Sequence, residues 1–289
     1  MCQFLNSKRV HRAPWLSIAD HGVLARFLDR AGIGPRLHAE ALINAVADAF
    51  KRFPYENLTK ILKSSAVVSP RSALRLPDEV IGDFLAWGTG GTCFSLTASM
   101  IAVYDAVGVE AHPILADRRY GVDTHCGLVI VSGQGELALV DPGFLLNTPV
   151  KVSLSTPMCV DRGDSRVELH PVKDTRRLEL FTVVKTNRKL RLTFKIDPVD
   201  EETFRVAWER SFAFEMMNYP VLTRRVGLQQ HYLQGTMLTV RGPEGVRRSV
   251  LSPQSRIESI AGLFGIDREI TIKALKKVGY GVSEQSMAG

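Results

Sequence analysis

Apolar residues in the first third of the chain recur every three to four positions, which is the spacing of one face of an α-helix. This pattern predicts helices over residues 23–28, 42–50, 74–87 and 94–107. The last of these carries apolar residues on several sides, which indicates a buried helix, and Gly108 ends it. The chain is therefore expected to begin with a helical region.

From residue 109 the pattern changes to short β-type runs separated by turn residues. Strands are predicted over residues 111–116, 125–131, 137–140, 178–185 and 190–196. Beyond Asp197-Pro198 the pattern predicts a helix over 201–217, a strand over 234–240, and helices over 254–264 and 270–278. The sequence thus predicts a helical part, a β-rich part and a mixed part.

Composition adds the expectation of an ordinary globular protein. With 289 residues, 45% of them hydrophobic, the chain can hold one large domain or two to three small ones. No stretch approaches the ~20 apolar residues of a membrane span, and Met1–Arg9 lacks a long apolar run behind its charges. We therefore expect a cytoplasmic protein with no membrane partner.

The net charge of +7 and the pI near 9.3 favour an anionic ligand in principle. The basic residues are scattered, however, and form only short doublets such as Arg224-Arg225 and Arg247-Arg248. Doublets of this kind are typical of a solvated surface, so no nucleic-acid partner is predicted. The four cysteines, Cys2, Cys93, Cys126 and Cys159, lack the paired spacing of a zinc site or a redox dithiol. No metal is predicted.

One cysteine stands in a distinctive setting. Cys93 ends the run Thr89-Gly90-Gly91-Thr92-Cys93 and opens the predicted buried helix. With Thr92 as N-cap, the thiol would lie in the first helical turn, where unpaired N–H groups and the helix dipole favour a thiolate. The same N–H groups are suited to stabilise an oxyanion. The sequence therefore predicts a nucleophilic cysteine, although a lone buried cysteine is more often an inert apolar residue.

His125 and Asp141 lie on the two strands of a predicted hairpin whose loop is Ser132-Gly133-Gln134-Gly135. If the strands pair symmetrically about Gly133, the two residues face each other directly. If they pair about Gln134, they are diagonal neighbours on the same face, ~7–8 Å apart by backbone, and contact remains feasible. A two-residue loop would place them on opposite faces. Either of the first two registers predicts a Cys-His-Asp triad, in which His125 takes the thiol proton and Asp141 fixes the imidazole.

These residues resemble the arylamine N-acetyltransferase family, whose signature is Arg-Gly-Gly-x-Cys, a strand-borne His and Val-Asp-x-Gly-Phe. This sequence has Thr89-Gly90-Gly91-Thr92-Cys93, His125 and Val140-Asp141-Pro142-Gly143-Phe144. The resemblance covers essentially the whole chain. Its other matching segments are residues 27–32, 53–58, 218–220, 235–240 and 263–266.

The resemblance implies an α+β fold with an N-terminal helical bundle over 1–88, a catalytic helix and β-barrel over 89–197, and an α/β lid over 198–289. The first two parts would form a cysteine-protease-like core. It also implies a ping-pong reaction in which Cys93 takes an acyl group from acetyl-CoA or another acyl-CoA, and a small arylamine or hydrazine then attacks the acyl-enzyme. By the same analogy, Tyr55 and Phe144 would line the acceptor pocket, although both residues are equally suited to the core.

This sequence departs from the family pattern at several positions. Thr89 replaces the arginine before Gly-Gly, Ser95 replaces a glutamate or glutamine, and Thr97 stands where asparagine is common. Glu56 thereby loses its expected partner, so we predict that it is exposed, finds another cation or has a raised pKa. Leu145, where glycine is common, is expected to narrow a space that the cofactor needs.

Three alternatives use the same residues or the same fold. The first is an amide synthase that takes its acyl chain from a carrier protein or a polyketide-type thioester. The second is a cysteine hydrolase or transglutaminase-like enzyme, which differs in whether water or an amine resolves the acyl-enzyme. The third is a binding protein whose site has drifted, for which Thr89 and Ser95 are the supporting features.

Overall fold

The structure, a computed structural model, describes residues 12–132, 135–163 and 165–281. The segment Met1–Arg9 with Cys2, and the loop residues Gly133 and Gln134, therefore lie outside the described residues. No helix within the described ranges is both long and apolar enough to cross a membrane.

The N-terminal part is helical, with one short strand. Its elements are α1 (His21–Ala31), α2 (Ala39–Phe50), β1 (Tyr55–Glu56), α3 (Leu58–Ser64), α4 (Pro77–Trp87) and α5 (Cys93–Ala106). Asp20 starts α1 because its side chain accepts hydrogen bonds from two backbone N–H groups of the first turn. Helix α4 begins three residues later than predicted, because Pro77 takes the first helical position, where a missing N–H costs nothing.

The middle part is an eight-stranded antiparallel sheet that curves into a nearly closed barrel. Its strands are β2 (Ala111–Arg118), β3 (Gly121–Val131), β4 (Leu137–Asp141), β5 (Leu146–Lys151), β6 (Met158–Asp161), β7 (Arg166–Pro171), β8 (Arg177–Val184) and β9 (Asn187–Lys195). The order across the sheet is β5-β4-β3-β2-β9-β8-β7-β6. The predicted strands of this region are present. Strands β5 and β6 had no strong sequence pattern, because most of their positions are only partly buried or exposed. Strand β7 was missed although its buried Val167 and Leu169 alternate with polar residues.

The C-terminal part forms a second sheet with three helices. Its elements are α6 (Glu201–Arg210), β10 (Val221–Val226), β11 (Gln229–Gln234), β12 (Met237–Gly242), β13 (Gly245–Val250), α7 (Pro253–Ser259) and α8 (Arg268–Lys277). The sheet order is β1-β10-β11-β12-β13, so the short strand β1 of the N-terminal part completes this sheet.

Three predicted elements of this part were wrong in extent. The strand expected over 234–240 is interrupted at Gly235, whose φ of 58° turns the chain between β11 and β12. The helix expected over 201–217 ends at Arg210 and continues as two 3₁₀ turns, Ser211–Ala213 and Glu215–Asn218. The helix expected over 254–264 is α7 followed by a π-helical turn, Ile260–Phe264.

The buried side chains of the described residues form three clusters; the barrel cluster lies within residues 89–197, and the other two cross the expected boundaries at 88 and 197. Phe204 and Trp208 of α6 pack against Phe94 of α5, with ring centroids 5.5 and 6.4 Å from it. Leu58 of α3 lies in the cluster of the C-terminal sheet with Leu222 and other apolar residues. The expected α+β architecture of helical region, barrel-like sheet and C-terminal sheet is confirmed. The division into three domains stays a prediction.

Candidate active site

Cys93 is the first residue of α5 and is 7% exposed. Thr92 occupies the N-cap position and Cys93 lies in the first turn, as predicted, and the Thr92 side chain makes no capping hydrogen bond. Instead Ser95 turns its hydroxyl back and donates to the Thr92 carbonyl at 3.1 Å. Because the side chain of Thr92 does not cap the first turn, the N–H groups of this turn and the positive end of the helix dipole remain available to the sulfur.

Two glycines, Gly90 and Gly143, let backbone segments pack closely around the cysteine. A Cβ on Gly90 would lie 1.8 Å from the Pro54 carbonyl oxygen, and one on Gly143 would lie 2.5 Å from Cys93 Cβ and 3.2 Å from His125 Cε1. Gly143 is thus packed against both Cys93 and His125. Glycine is required at both positions because any side chain would displace one of these neighbours.

The hairpin places His125 beside Asp141. Strands β3 and β4 pair Leu128 with Val140 and Val129 with Leu139, which is the second of the two registers considered. His125 and Asp141 are consequently diagonal neighbours, and His125 Nε2 lies 2.6 Å from Asp141 Oδ2, with both side chains fully buried. Asp141 Oδ1 also accepts from the Phe144 N–H at 2.8 Å, so this carboxylate both forms the turn and binds the histidine.

The electrostatics of this cluster favour a thiolate. Contact with the Cys126 thiol, followed by the charges of His125 and Arg118, holds the pKa of Cys93 well below its usual range despite burial. Burial lowers the pKa of His125, but the charge of Asp141, the charge of Cys93 and the hydrogen bond to Asp141 together outweigh it, so the net shift is upward. Burial and the neighbouring Cys93 raise the pKa of Cys126, which leaves Cys93 as the more acidic thiol of the two.

Arg118, at the end of β2, is a residue that sequence reasoning missed. Its Nη2 lies 2.9 Å from His125 Nδ1, and its Nε is buried with no hydrogen-bond partner among the described residues. Ala116 pairs with His125, but the register shifts before Arg118, which pairs with Gly121. Because regular alternation breaks at this irregularity, the sequence pattern carried no signal that places Arg118 beside the imidazole.

Glu56 pairs with another cation, Arg75, which was one of the three expected outcomes. The side chain is fully buried, and Arg75 Nη1 lies 3.6 Å from its Oε1. Thr59 links the two, because its hydroxyl donates to Glu56 Oε1 at 2.5 Å and accepts from Arg75 at 2.5 Å. Arg75 also donates to the Gly90 carbonyl at 2.6 Å, so this guanidinium supports the loop before Cys93 while Thr89 is buried beside it.

The two residues expected to line an acceptor pocket lie in different settings. Tyr55 is 9% exposed and close enough to Cys93 that burial, followed by the charge of that thiol, raises its pKa. Phe144 packs on the apolar core of the barrel with Arg162 5.3 Å above its ring. The structure thus brings Tyr55 to the cysteine, and the acceptor-pocket role of both residues stays a prediction.

Leu145 adopts a left-handed backbone conformation with φ of 59°, which glycine accepts without strain. Its side chain borders a cavity of about 310 Å³ whose lining includes the basic residues Lys51, Arg162 and Arg225. The expectation that Leu145 narrows the space for a cofactor stays a prediction. Across residues 12–132, 135–163 and 165–281, no three His, Cys, Asp or Glu side chains are arranged to hold a metal ion.

No protein-family model and no curated protein matches this sequence. Among solved structures, the fold is similar to that of an arylamine N-acetyltransferase from Nocardia farcinica, with a TM-score of 0.73, 20% identity and 92% and 99% of the two chains covered. An arylamine N-acetyltransferase from Mycobacterium marinum, solved in complex with CoA, aligns with a TM-score of 0.72 and 16% identity over 88% and 99%. One from Bacillus cereus, described with a Cys-His-Glu catalytic triad, aligns at 0.66 and 18% over 86% and 100%. The chain has the fold of these enzymes.

Proposed function

We propose that this protein is an acyltransferase that moves an acyl group, acetyl in the simplest case, from a coenzyme A thioester to an arylamine or hydrazine through a thioester on Cys93. The observation that carries the proposal is the buried His125–Asp141 pair, 2.6 Å apart, next to a cysteine at a helix N-terminus. The N. farcinica, M. marinum and B. cereus enzymes support it through their fold.

The roles follow from the positions. The Cys93 thiol gives its proton to His125 and attacks the acyl carbonyl carbon, and the N–H groups at the start of α5 stabilise the oxyanion. Coenzyme A leaves as its thiol, taking the proton from His125. The amine then attacks the Cys93 thioester, passes a proton to His125, and the product amide departs as the sulfur is released. Asp141 holds the imidazole and stabilises its charged form throughout.

A mass measurement on the intact protein tests this proposal. Incubation with acetyl-CoA, without an amine, should add one acetyl group to Cys93 and release one equivalent of coenzyme A. Cys93→Ala should retain the fold and take up nothing, whereas Cys159→Ala, which changes an exposed thiol, should acylate like the wild type. Absence of acylation with every acyl-CoA tried would refute the proposal.

Two further arms separate the alternatives. Acyl groups on a carrier protein, offered in competition with acyl-CoA, should acylate Cys93 more slowly if the free coenzyme A thioester is the donor. Adding an arylamine should convert the loss of the acyl group from slow hydrolysis into rapid amide formation. Hydrolysis that proceeds unchanged in the presence of amines would instead assign a cysteine hydrolase.

A further inference from the structure

The contact between Arg118 and His125 uses the nitrogen that the proposed reaction requires. A guanidinium only donates hydrogen bonds, so His125 Nδ1, 2.9 Å from Arg118 Nη2, must be the unprotonated acceptor. The other nitrogen, Nε2, then carries the hydrogen directed at Asp141. Arg118 occupies the single lone pair on Nδ1, so His125 cannot accept a proton at this nitrogen, from Cys93 or from an attacking amine, while this contact lasts.

The two contacts of His125 therefore compete. Asp141 favours the imidazolium, whereas Arg118 requires a neutral ring with a free lone pair and adds a positive charge beside it. Protonation of Nδ1 by Cys93 must displace the guanidinium. Displacing the guanidinium breaks no hydrogen bond at Arg118 Nε, since this atom has no partner among residues 12–132, 135–163 and 165–281.

The surroundings of Arg118 favour an anion. Burial, and then the charges of Arg241 and Arg118, lower the pKa of Arg191. The charge of Asp141 raises the pKa of Arg118, but this carboxylate is already hydrogen-bonded to His125. Burial disfavours the charge of Arg118, but the neighbouring Tyr120, Tyr55, Cys93 and Asp141 raise its pKa, so the guanidinium stays charged. Its buried Nε–H, which has no partner among the described residues, is left to donate to a bound oxyanion. Tyr55 and Tyr120 beside Arg118 add aromatic surface.

We propose that Arg118 binds an anionic oxyacid group of the substrate, a carboxylate in the first instance, and that this binding draws the guanidinium from His125 Nδ1 and frees this nitrogen to accept protons during the reaction. The carboxylate belongs either to the amine acceptor or to the acyl chain of the donor. The release of the base rests on the proposed acyl transfer, whereas the anion site is independent of it.

Alkylation of Cys93 tests the anion site without any substrate. Iodoacetate and iodoacetamide form the same bond to sulfur, but only iodoacetate carries a carboxylate. The exposed Cys159 is an internal reference for the intrinsic reactivity of the two reagents. We expect the iodoacetate-to-iodoacetamide rate ratio at Cys93 to exceed that at Cys159 by about tenfold, as one charge-assisted contact provides. Equal ratios at the two cysteines in the wild type would overturn the proposal.

Variants assign the effect to one side chain. Arg118→Gln should lower the ratio at Cys93 to that at Cys159, Arg118→Lys should retain part of it, and Arg119→Gln should leave it unchanged. The last variant removes the same charge from the exposed neighbouring position. If Arg118 only stabilises the thiolate, both alkylation rates fall together in Arg118→Gln and the ratio persists, which contradicts the proposal. Should Arg118→Gln fail to fold, the wild type and Arg118→Lys still decide.

Matched substrates identify the source of the carboxylate. Aminobenzoate against its methyl ester varies the acceptor, and succinyl-CoA against acetyl-CoA varies the donor. In the favourable case the wild type prefers the charged member of one pair, and Arg118→Gln loses that preference mainly through KM. A wild type indifferent to charge in both pairs would contradict substrate recognition by Arg118. If no pair supports turnover, the proposed acyl transfer has failed, and the alkylation ratio still tests the anion site.

Discussion

At the scale of single residues, the buried cation beside Glu56 and the loop before Cys93 is Arg75. The family pattern has an arginine directly before Gly-Gly, but Arg75 of the preceding segment reaches the same loop and bonds to the Gly90 carbonyl, Thr59 and Asp83. No sequence motif marks Arg75 as this cation, because its contact with the loop arises only in the tertiary structure. A need for a cation near Glu56 was predictable, since an unpaired buried carboxylate is costly, whereas the identity of its partner depended on the tertiary structure.

Replacing Arg75 by glutamine should be strongly destabilising. The change leaves the fully buried Glu56 without its cation and the Gly90 carbonyl without its donor. We expect a loss of about 3–5 kcal/mol in the free energy of unfolding, measured by urea denaturation. Arg71→Gln, at an exposed position four residues earlier, should change stability by less than ~0.5 kcal/mol. A similar loss for both variants would show that the buried ion pair is not responsible.

His125→Ala should slow alkylation of Cys93 at neutral pH. In the wild type the lowered pKa keeps the thiol ionised below the value of about 8.5 typical of a free cysteine, so iodoacetamide should react nearly as fast at pH 6.5 as at pH 8.5. Without His125 the pH profile should move toward higher pH. His170→Ala, a half-buried histidine of β7, is the control and should leave the profile in place. A wild-type profile centred near 8.5 would refute the activated thiolate.

At the scale of elements, the turn between β4 and β5 is the part that shapes the site. Asp141 binds His125, Gly143 packs on Cys93 and Leu145 closes the turn with a left-handed backbone. Helix α5 and residues 125–130 of β3 are buried on all sides, and they were predictable from their apolar content between turn residues. Strands β5 and β6 and the break at Gly235 were not, because partial burial and a glycine turn leave little periodic signal. Strand β7 was missed although Val167 and Leu169 alternate with polar residues.

Gly143→Ala should disable the site through steric conflict alone. The added methyl group would lie 2.5 Å from Cys93 Cβ, so the turn and the helix must separate. We expect a loss of about 1–3 kcal/mol in stability and a larger proportional loss of Cys93 alkylation rate, because His125 and Cys93 move apart. In Gly34→Ala the methyl group meets no atom within 4 Å, and both properties should stay at wild-type values. Wild-type alkylation in Gly143→Ala would contradict the described packing.

At the scale of the whole molecule, buried polar contacts join the N-terminal and C-terminal parts. Lys60 of α3 is 4% exposed, and its Nζ donates to the carbonyl and the hydroxyl of Ser211 at 2.9 and 2.6 Å. Burial lowers the pKa of this lysine to about 7. The general three-part arrangement was predictable from the order of helical and β-type patterns. The sharing of cores among the parts was not, since local periodicity does not specify which buried faces meet.

Lys60 should make stability rise with pH. The unfolded chain binds a proton at this lysine up to about pH 10.4, whereas the folded protein releases it near pH 7. Between these values the unfolded state holds more protons, so raising the pH favours the folded state by up to ~1.4 kcal/mol per unit. From pH 7.5 to 9 the wild type should gain about 2 kcal/mol relative to Lys60→Met in urea denaturation. Lys51→Met, at an exposed position, should keep the wild-type slope, and a shared slope in all three proteins would exclude a neutral buried lysine.

The two-residue strand β1 has a consequence for synthesis of the protein on the ribosome. Tyr55 and Glu56 hold the loop before Cys93 through Gly91, and pair on their other side with β10. Asn57, next to them, binds the N–H of Val221, which is 164 residues further along the chain. Contacts of such long range form late, and a nascent chain carries Cys93 well before β10 has emerged. The thiol is therefore translated early but receives its fixed surroundings only when most of the chain is complete.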